Sequence, residues 1–235
     1  MGLFLPFFII VVLAIIGMAI FSSSQRRKEL AAWAASHRLS FNPDNDRDME
    51  DRFPEFSCLQ QGHSRRASNI MTGPWSDPGD SDRPLPAGAT DLSICAFDYH
   101  YETGSGKNHH SYNFSAVVVL SPIPLKPLFI RPEGLFDKVA EFFGADDIDF
   151  ESAEFSRAFF VQGPDKRWAY DVIHQRMMEF LLDAPRFHLQ FSGARIIAWH
   201  SSTFTPDEFD SAIRLIRGVL ERLPDYLVRQ QTGQG

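Results

Sequence analysis

Nineteen consecutive residues, Leu3 to Phe21, carry no charge. At about 1.5 Å of rise per residue a helix over this run is just long enough to cross a hydrocarbon core about 30 Å thick. No other stretch of the 235-residue chain could span. A cleaved signal peptide would want a basic start, a shorter apolar core and a small-residue cleavage site. Here no Lys or Arg precedes the run and Pro6 sits near its beginning. The expectation is a transmembrane anchor over residues 1–24, with the lipid bilayer as its partner.

Orientation follows from the flanks. Arg26, Arg27 and Lys28 come just after Ser22, Ser23 and Ser24, whereas the N-terminus offers only its amine. Positive charge stays inside, so the expected location is the cell membrane, single-pass, with the C-terminal domain cytoplasmic. Two cysteines, Cys58 and Cys95, suit free thiols in a reducing compartment rather than a stapled secreted domain.

The remaining length accommodates one sizeable core. With the three juxtamembrane cations set aside from 23 Lys and Arg, the body carries 20 basic residues against 30 acidic, a net charge of −10. That balance argues against nucleic acid as a partner. No repeat of fixed period is visible, which argues against solenoids and propellers.

Along the chain, Leu30, Trp33, Ala34 and His37 recur at helical spacing, predicting a juxtamembrane helix over 25–40 that continues from the anchor or closely follows it. A folded domain then spans 41–226, and residues 227–235 read as a disordered tail. A short strand is expected at Leu39–Phe41, and two strands within 56–71 around Gly62, His63 and Ser64. Residues 73–91, with four prolines and no hydrophobic period, read as a mobile loop.

From Leu92 the chain alternates, with Leu92, Ile94, Ala96, Asp98 and His100 on one face and Cys95, Phe97, Tyr99 and Tyr101 on the other. Residues 114–120 form its β-branched partner strand, across a polar loop at 103–110. A Pro-spaced segment follows at 121–127, then a strand at 128–130 and a short helix around Leu135, Val139, Phe142 and Phe143. Another strand is expected over 155–162. Asp165 should cap a helix reaching about Leu182. Ser192-Gly193 reads as the turn of a hairpin joining 186–191 to 194–200, with Phe187, Leu189, Phe191, Ile196 and Ala198 on the core face. Arg186, His188, Arg195, Ile197 and Trp199 make the other face, apolar and basic at once, which suggests cover by another element or a partner. Thr205-Pro206-Asp207-Glu208 is a capping box opening the last helix, which Pro224 ends. Strands interrupted by helices without regular alternation predict an α+β fold: one antiparallel-sheet domain with packing helices behind the transmembrane helix.

Chemistry is sparse. Gly104-Ser105-Gly106-Lys107 lacks the leading Gly and the Ser or Thr after Lys that a phosphate loop needs, and it joins two strands. His100, His109 and His110, with Asp98 on the face of His100, could gather three metal ligands at one hairpin end, although no metal-ligand spacing fixes their geometry. The acidic run Asp146, Asp147, Asp149, Glu151 and Glu154 lacks the spacing of a calcium loop. There is no nucleophile elbow, and neither cysteine sits in a catalytic signature. Arg176, beside an apolar helix face, would pair with Glu151 or Glu154 if semi-buried. No catalytic, cofactor-binding or metal residue is assigned.

Several stretches resemble an uncharacterised bacterial family, often membrane-anchored, known as a domain of unknown function: Arg65–Gly73, Ala96–Tyr101, Asp147–Phe155 and Ala169–Glu179. The likeness runs from about Glu29 to Tyr226. It implies a bacterial source and a membrane-tethered domain, and supplies no activity or ligand. The anchor, the acidic body and the lack of a convergent catalytic set lead to the expectation of a tethered cytoplasmic binding or scaffold domain without catalysis, its protein partner unknown. The alternatives are a metal-dependent hydrolase using His100, His109 and His110, and a lipid or envelope-stress sensor resting on the basic cluster.

Overall fold

The computed structural model describes residues 4–75, 85–134 and 148–233, with side chains from Phe21 onward and at Phe8 and Met18 before it. The chain opens with one helix, α1 (Phe4–Ser36), 33 residues long and so about 50 Å from end to end. It stops at Ser36, short of the expected residue 40, because Arg38 takes a left-handed φ of 59° that turns the chain into strand β1 (Ser40–Asn42). Most side chains of the uncharged run lie outside the described residues, and among the described residues no helix is long and apolar enough to cross a membrane.

Six strands make an antiparallel sheet in the order β1–β2–β3–β4–β5, with β6 also on β4. They are β2 (His63–Trp75), β3 (Leu92–Thr103), β4 (His110–Pro132), β5 (Phe159–Gln162) and β6 (His188–Trp199). The long β4 gives one edge first to β3 and then to β5, and the other edge to β6. The fold is therefore α+β with an antiparallel sheet and packing helices, as the pattern predicts.

Both faces of the sheet are covered. The alternation in β3 sends Leu92, Ile94 and Ala96 into the larger apolar cluster, where the docked part of α1 meets α4 (Lys166–Val172), α5 (Gln175–Asp183), α6 (Pro206–Leu220) and α7 (Asp225–Thr232). It sends Phe97 and Tyr99 into a smaller one with Met49, Phe53, Phe56 and Leu59, under α2 (Met49–Arg52) and a short 3-10 turn at Ser57–Leu59. The apolar and basic face of β6 is indeed covered from within: Ile197 and Trp199 join the smaller cluster, and Arg195 reaches Glu55 at 2.8 Å.

Several local expectations are corrected. The Ser192-Gly193 hairpin does not form. Residues 188–199 run as one strand along β4, and the left-handed φ of Gly193, 57°, serves a bulge opposite Leu125. The register of β4 against β6 shifts on both sides of that point, where Pro122, Pro124 and Pro127 withhold their ladder donors. The Pro-spaced segment is thus a bent part of β4 rather than a break. Residues 56–71 hold one strand, not two, since Ser57–Leu59 is helical. The expected loop at 73–91 begins as strand, with Trp75 paired to Leu92 and buried, and buries Leu85 and Pro86 before a largely exposed stretch to Asp91; residues 76–84 lie outside the description, as does the helix expected around 135–143. Residues 153–158 are helical (α3, Ala153–Ala158) before β5 begins. The helix after Asp165 breaks into α4 and α5 at Ile173 and His174. The tail is ordered to Thr232 as α7, because Leu227 buries itself against the core.

Candidate functional site

Three places gather polar side chains, and the most built of them lies where α1 meets the sheet. Asp98 falls in the inward register of β3, 8% exposed, where an unpartnered carboxylate would be costly. Arg26 answers it with two bonds, Nε to Oδ2 at 2.8 Å and Nη2 to Oδ1 at 2.6 Å. Ser115 donates to Oδ1 at 2.5 Å and Asn69 to Oδ2 at 2.8 Å. Asn69 reaches in because it occupies the bulge of β2 between Ser68 and Met71 with a left-handed φ of 51°, a conformation that Asn tolerates better than most residues. Arg26 also donates to the carbonyl of Phe204, whose own N–H donates to Ser115. One cation of the expected juxtamembrane cluster is therefore a clasp between helix, sheet and the loop before α6. Arg27 and Lys28 stay exposed.

Past the clasp, α1 buries Leu30, Trp33 and Ala34. Trp33 stacks on Trp75 with centroids 5.6 Å apart and donates to Asp210 at 2.9 Å. Before the clasp the described apolar side chains stand free: Phe8 and Met18 are 65% exposed and Phe21 73%.

The second place is the base of the β3–β4 hairpin. His100 and His109 reach the two oxygens of Glu102 at 3.2 and 3.3 Å, and His63 stands 3.8 Å away. Hydrogen bonds from Ser64, His100 and His109 hold the Glu102 carboxyl down at about 2. His110 pairs with Thr103, so strand alternation turns it to the face opposite His100. Asp98 is committed to Arg26. The three histidines and the aspartate of the hydrolase reading are thus not brought to one point, and among the described residues no group of three or more His, Cys, Asp or Glu could hold a metal ion.

The third place is an open cleft of about 770 Å³ beside α4, α5 and the α6–α7 connection. Its polar groups satisfy one another: Tyr226 donates to Asp171 at 2.7 Å, and His174 Nε2 bonds the Arg222 carbonyl at 2.9 Å. Arg176 lines this cleft, exposed and paired with neither Glu151 nor Glu154. Asp149, Glu151 and Glu154 are exposed, and Asp146 and Asp147 lie outside the described residues. Cys58 is a buried core residue, and burial pushes the Cys95 thiol up to about 11.

Sequence reasoning missed the clasp. The signal was present, since Asp98 shares a face with Leu92, Ile94 and Ala96, and a carboxylate in such a register requires a donor. Which donor answers, across 72 residues of chain, is not a local property.

No family model and no curated protein matches the chain. Among solved structures it is similar to the crystal structure of the mycobacterial trehalose monomycolate transport factor A, TtfA, at a TM-score of 0.56 and 13% identity, over 84% of this chain and 96% of that one. Likeness at that identity concerns the fold alone.

Proposed function

We propose that this chain is a single-pass bacterial membrane protein whose C-terminal domain is a binding or scaffold platform held at the cytoplasmic face, without catalysis of its own. The observation that carries the reading is the continuity of α1: its first half holds exposed apolar residues, and its second half is clasped by Asp98 and built into the core. An exposed apolar rod calls for an apolar solvent. Through an unbroken helix, whatever holds the rod also sets the position of the sheet.

The test is retention of the full chain on membranes through an alkaline wash, with and without Leu13→Arg. A charge at the centre of a spanning helix costs about 2.5–3.5 kcal/mol of insertion, so the variant should wash off while the parent stays. Protease added outside spheroplasts should leave the domain intact; its digestion there would sink the cytoplasmic orientation.

A second reading draws on the fold likeness: the neighbour is named as a transport factor, so the platform could serve a membrane transport machine as its bound partner. Cross-linking in native membranes, with a transporter recovered or not, separates this from a free-standing scaffold. The metal-dependent hydrolase loses its gathered ligands, since His110 faces away from His100 and His109, and elemental analysis of the purified chain decides against it if no stoichiometric metal is found.

A further inference from the structure

The hairpin joining β3 to β4 leaves the domain on the same side as the free half of α1. Three contacts fix the relative direction of helix and strand. Arg26 meets Asp98, whereas Trp33 and His37, further along α1, both stack on Trp75, which pairs with Leu92. Going backward along α1 from Arg26 to Phe21 and forward along β3 from Asp98 to Thr103 therefore leads out of the same end of the domain. The helix covers about 7–8 Å over those five residues, and the strand about 17 Å. If Phe21 ends the membrane-spanning run, as the anchor reading holds, the strand has length to spare for bringing the hairpin tip into the headgroup zone beside the helix. The headgroup zone there is about 5–8 Å deep.

The tip has the chemistry of that zone. Residues 104–113 are all exposed, with no core beneath them. Tyr112 is 43% exposed and stacks flat on Tyr101, centroids 4.8 Å apart, and tyrosine is a residue of the membrane interface. Lys107 sits at the very tip, flanked by His109 and His110, and the chain carries no carboxylate between Glu102 and Glu133. Glu102 itself is engaged by His100 and His109. Arg27 and Lys28, with Glu29 beside them, are exposed at the level of the clasp. The acids at the start of α6, Asp207 and Glu208, follow Phe204, which lies at the level of the clasp, nearer the body than the tip. On a body of net charge −10 this end is locally cationic, complementary to an anionic leaflet.

We propose that the β3–β4 hairpin, residues 103–112, is a second membrane contact that seats Tyr112 and Lys107 among anionic phospholipid headgroups beside the exit of α1. The inference rests on the anchor reading, and together the two contacts fix the tilt of the domain, which one helix alone leaves free.

The experiment places single nitroxide labels on the full chain, in a Cys58→Ala, Cys95→Ala background, at Ser105→Cys in the tip, Met18→Cys in the free half of α1, and Arg157→Cys on α3 at the distant end. Each is reconstituted into vesicles of phosphatidylcholine alone or mixed with phosphatidylglycerol. Collision rates with oxygen and with a water-soluble nickel chelate report depth. The Met18 label should report hydrocarbon in both vesicles, and the Arg157 label water. The Ser105 label should report headgroup depth in the anionic vesicles, with an oxygen-to-nickel ratio several-fold above that of Arg157, and should fall to the Arg157 value when Lys107→Glu and Tyr112→Ser are added. A Ser105 label that matches Arg157 in anionic vesicles while Met18 stays in hydrocarbon overturns the hairpin contact and leaves the anchor standing. Equal Ser105 depth in both vesicles overturns the anionic preference, and a Met18 label in water overturns the anchor itself.

Discussion

The two halves of α1 are one unbroken helix and obey opposite rules. Before Arg26 the described apolar side chains, Phe8, Met18 and Phe21, stand exposed. After it Leu30, Trp33 and Ala34 vanish into the core, although this stretch is the more polar of the two and is surrounded by Arg27, Lys28 and Glu29. Apolar content alone would assign burial the wrong way round. What separates the halves is periodicity: the second half carries its apolar residues on one stripe that the sheet can cover, while the first is apolar on every side and no single protein face can satisfy it.

The contrast can be broken most directly at Trp33. Trp33→Ala removes a buried ring from between Trp75 and Phe209 and takes the indole donor from Asp210, which keeps only His37 at 3.6 Å, and should cost about 3–5 kcal/mol of domain stability. Met18→Ala in the free half should change it by less than about 0.5 kcal/mol. Denaturant unfolding of the detergent-solubilised chain reads both, and equal effects would erase the distinction between the halves.

Acid should act on one side of the divide only, because the free half holds no titratable side chain. In the domain His188 is fully buried between Phe129 and Trp199. Burial, with the charges of Arg131 and His200, lowers it from 6.5 to about 4. A folded value below the unfolded one means that protonation favours the unfolded chain. Stability is then complete above pH 6.5 and falls as pH drops toward 4, by about 3 kcal/mol over the window. His188→Phe should flatten that slope; an unchanged slope would move the acid sensitivity elsewhere.

The clasp gives the smallest of the three effects. Arg26→Met leaves Asp98 with Ser115 and Asn69 but without its counter-charge. Because the Arg26 side chain keeps 26% of its exposure, the loss should be about 2 kcal/mol rather than the roughly 3–5 of a fully buried pair. Asp98→Asn in the same background should recover part of it, since the uncompensated charge is then gone. No recovery would show that Arg26 works through Phe204 and Ser115.

Much of this architecture was legible from local pattern. The two-faced alternation from Leu92 to Tyr101, the Asp165 cap and the Thr205–Glu208 capping box all stand where spacing put them. The faces of the 186–200 segment were right even though its turn was not, because side-chain parity survives when a supposed hairpin is really one strand across a bulge. Gly193 illustrates the ambiguity: a left-handed glycine serves a tight turn or a bulge equally well, and only the presence of β4 as a continuous partner selects the bulge.

The sequence by itself determined the helix and strand periodicities, the faces and the uncharged run, since each depends on residues a few positions apart. The tertiary structure alone decided that Arg26 belongs to Asp98, that Asn69 and Ser115 complete the clasp, and that His110 turns away from His100 and His109. These pairings join residues brought together by sheet register and bulges, and register is settled by the whole set of cross-strand contacts rather than by any one segment.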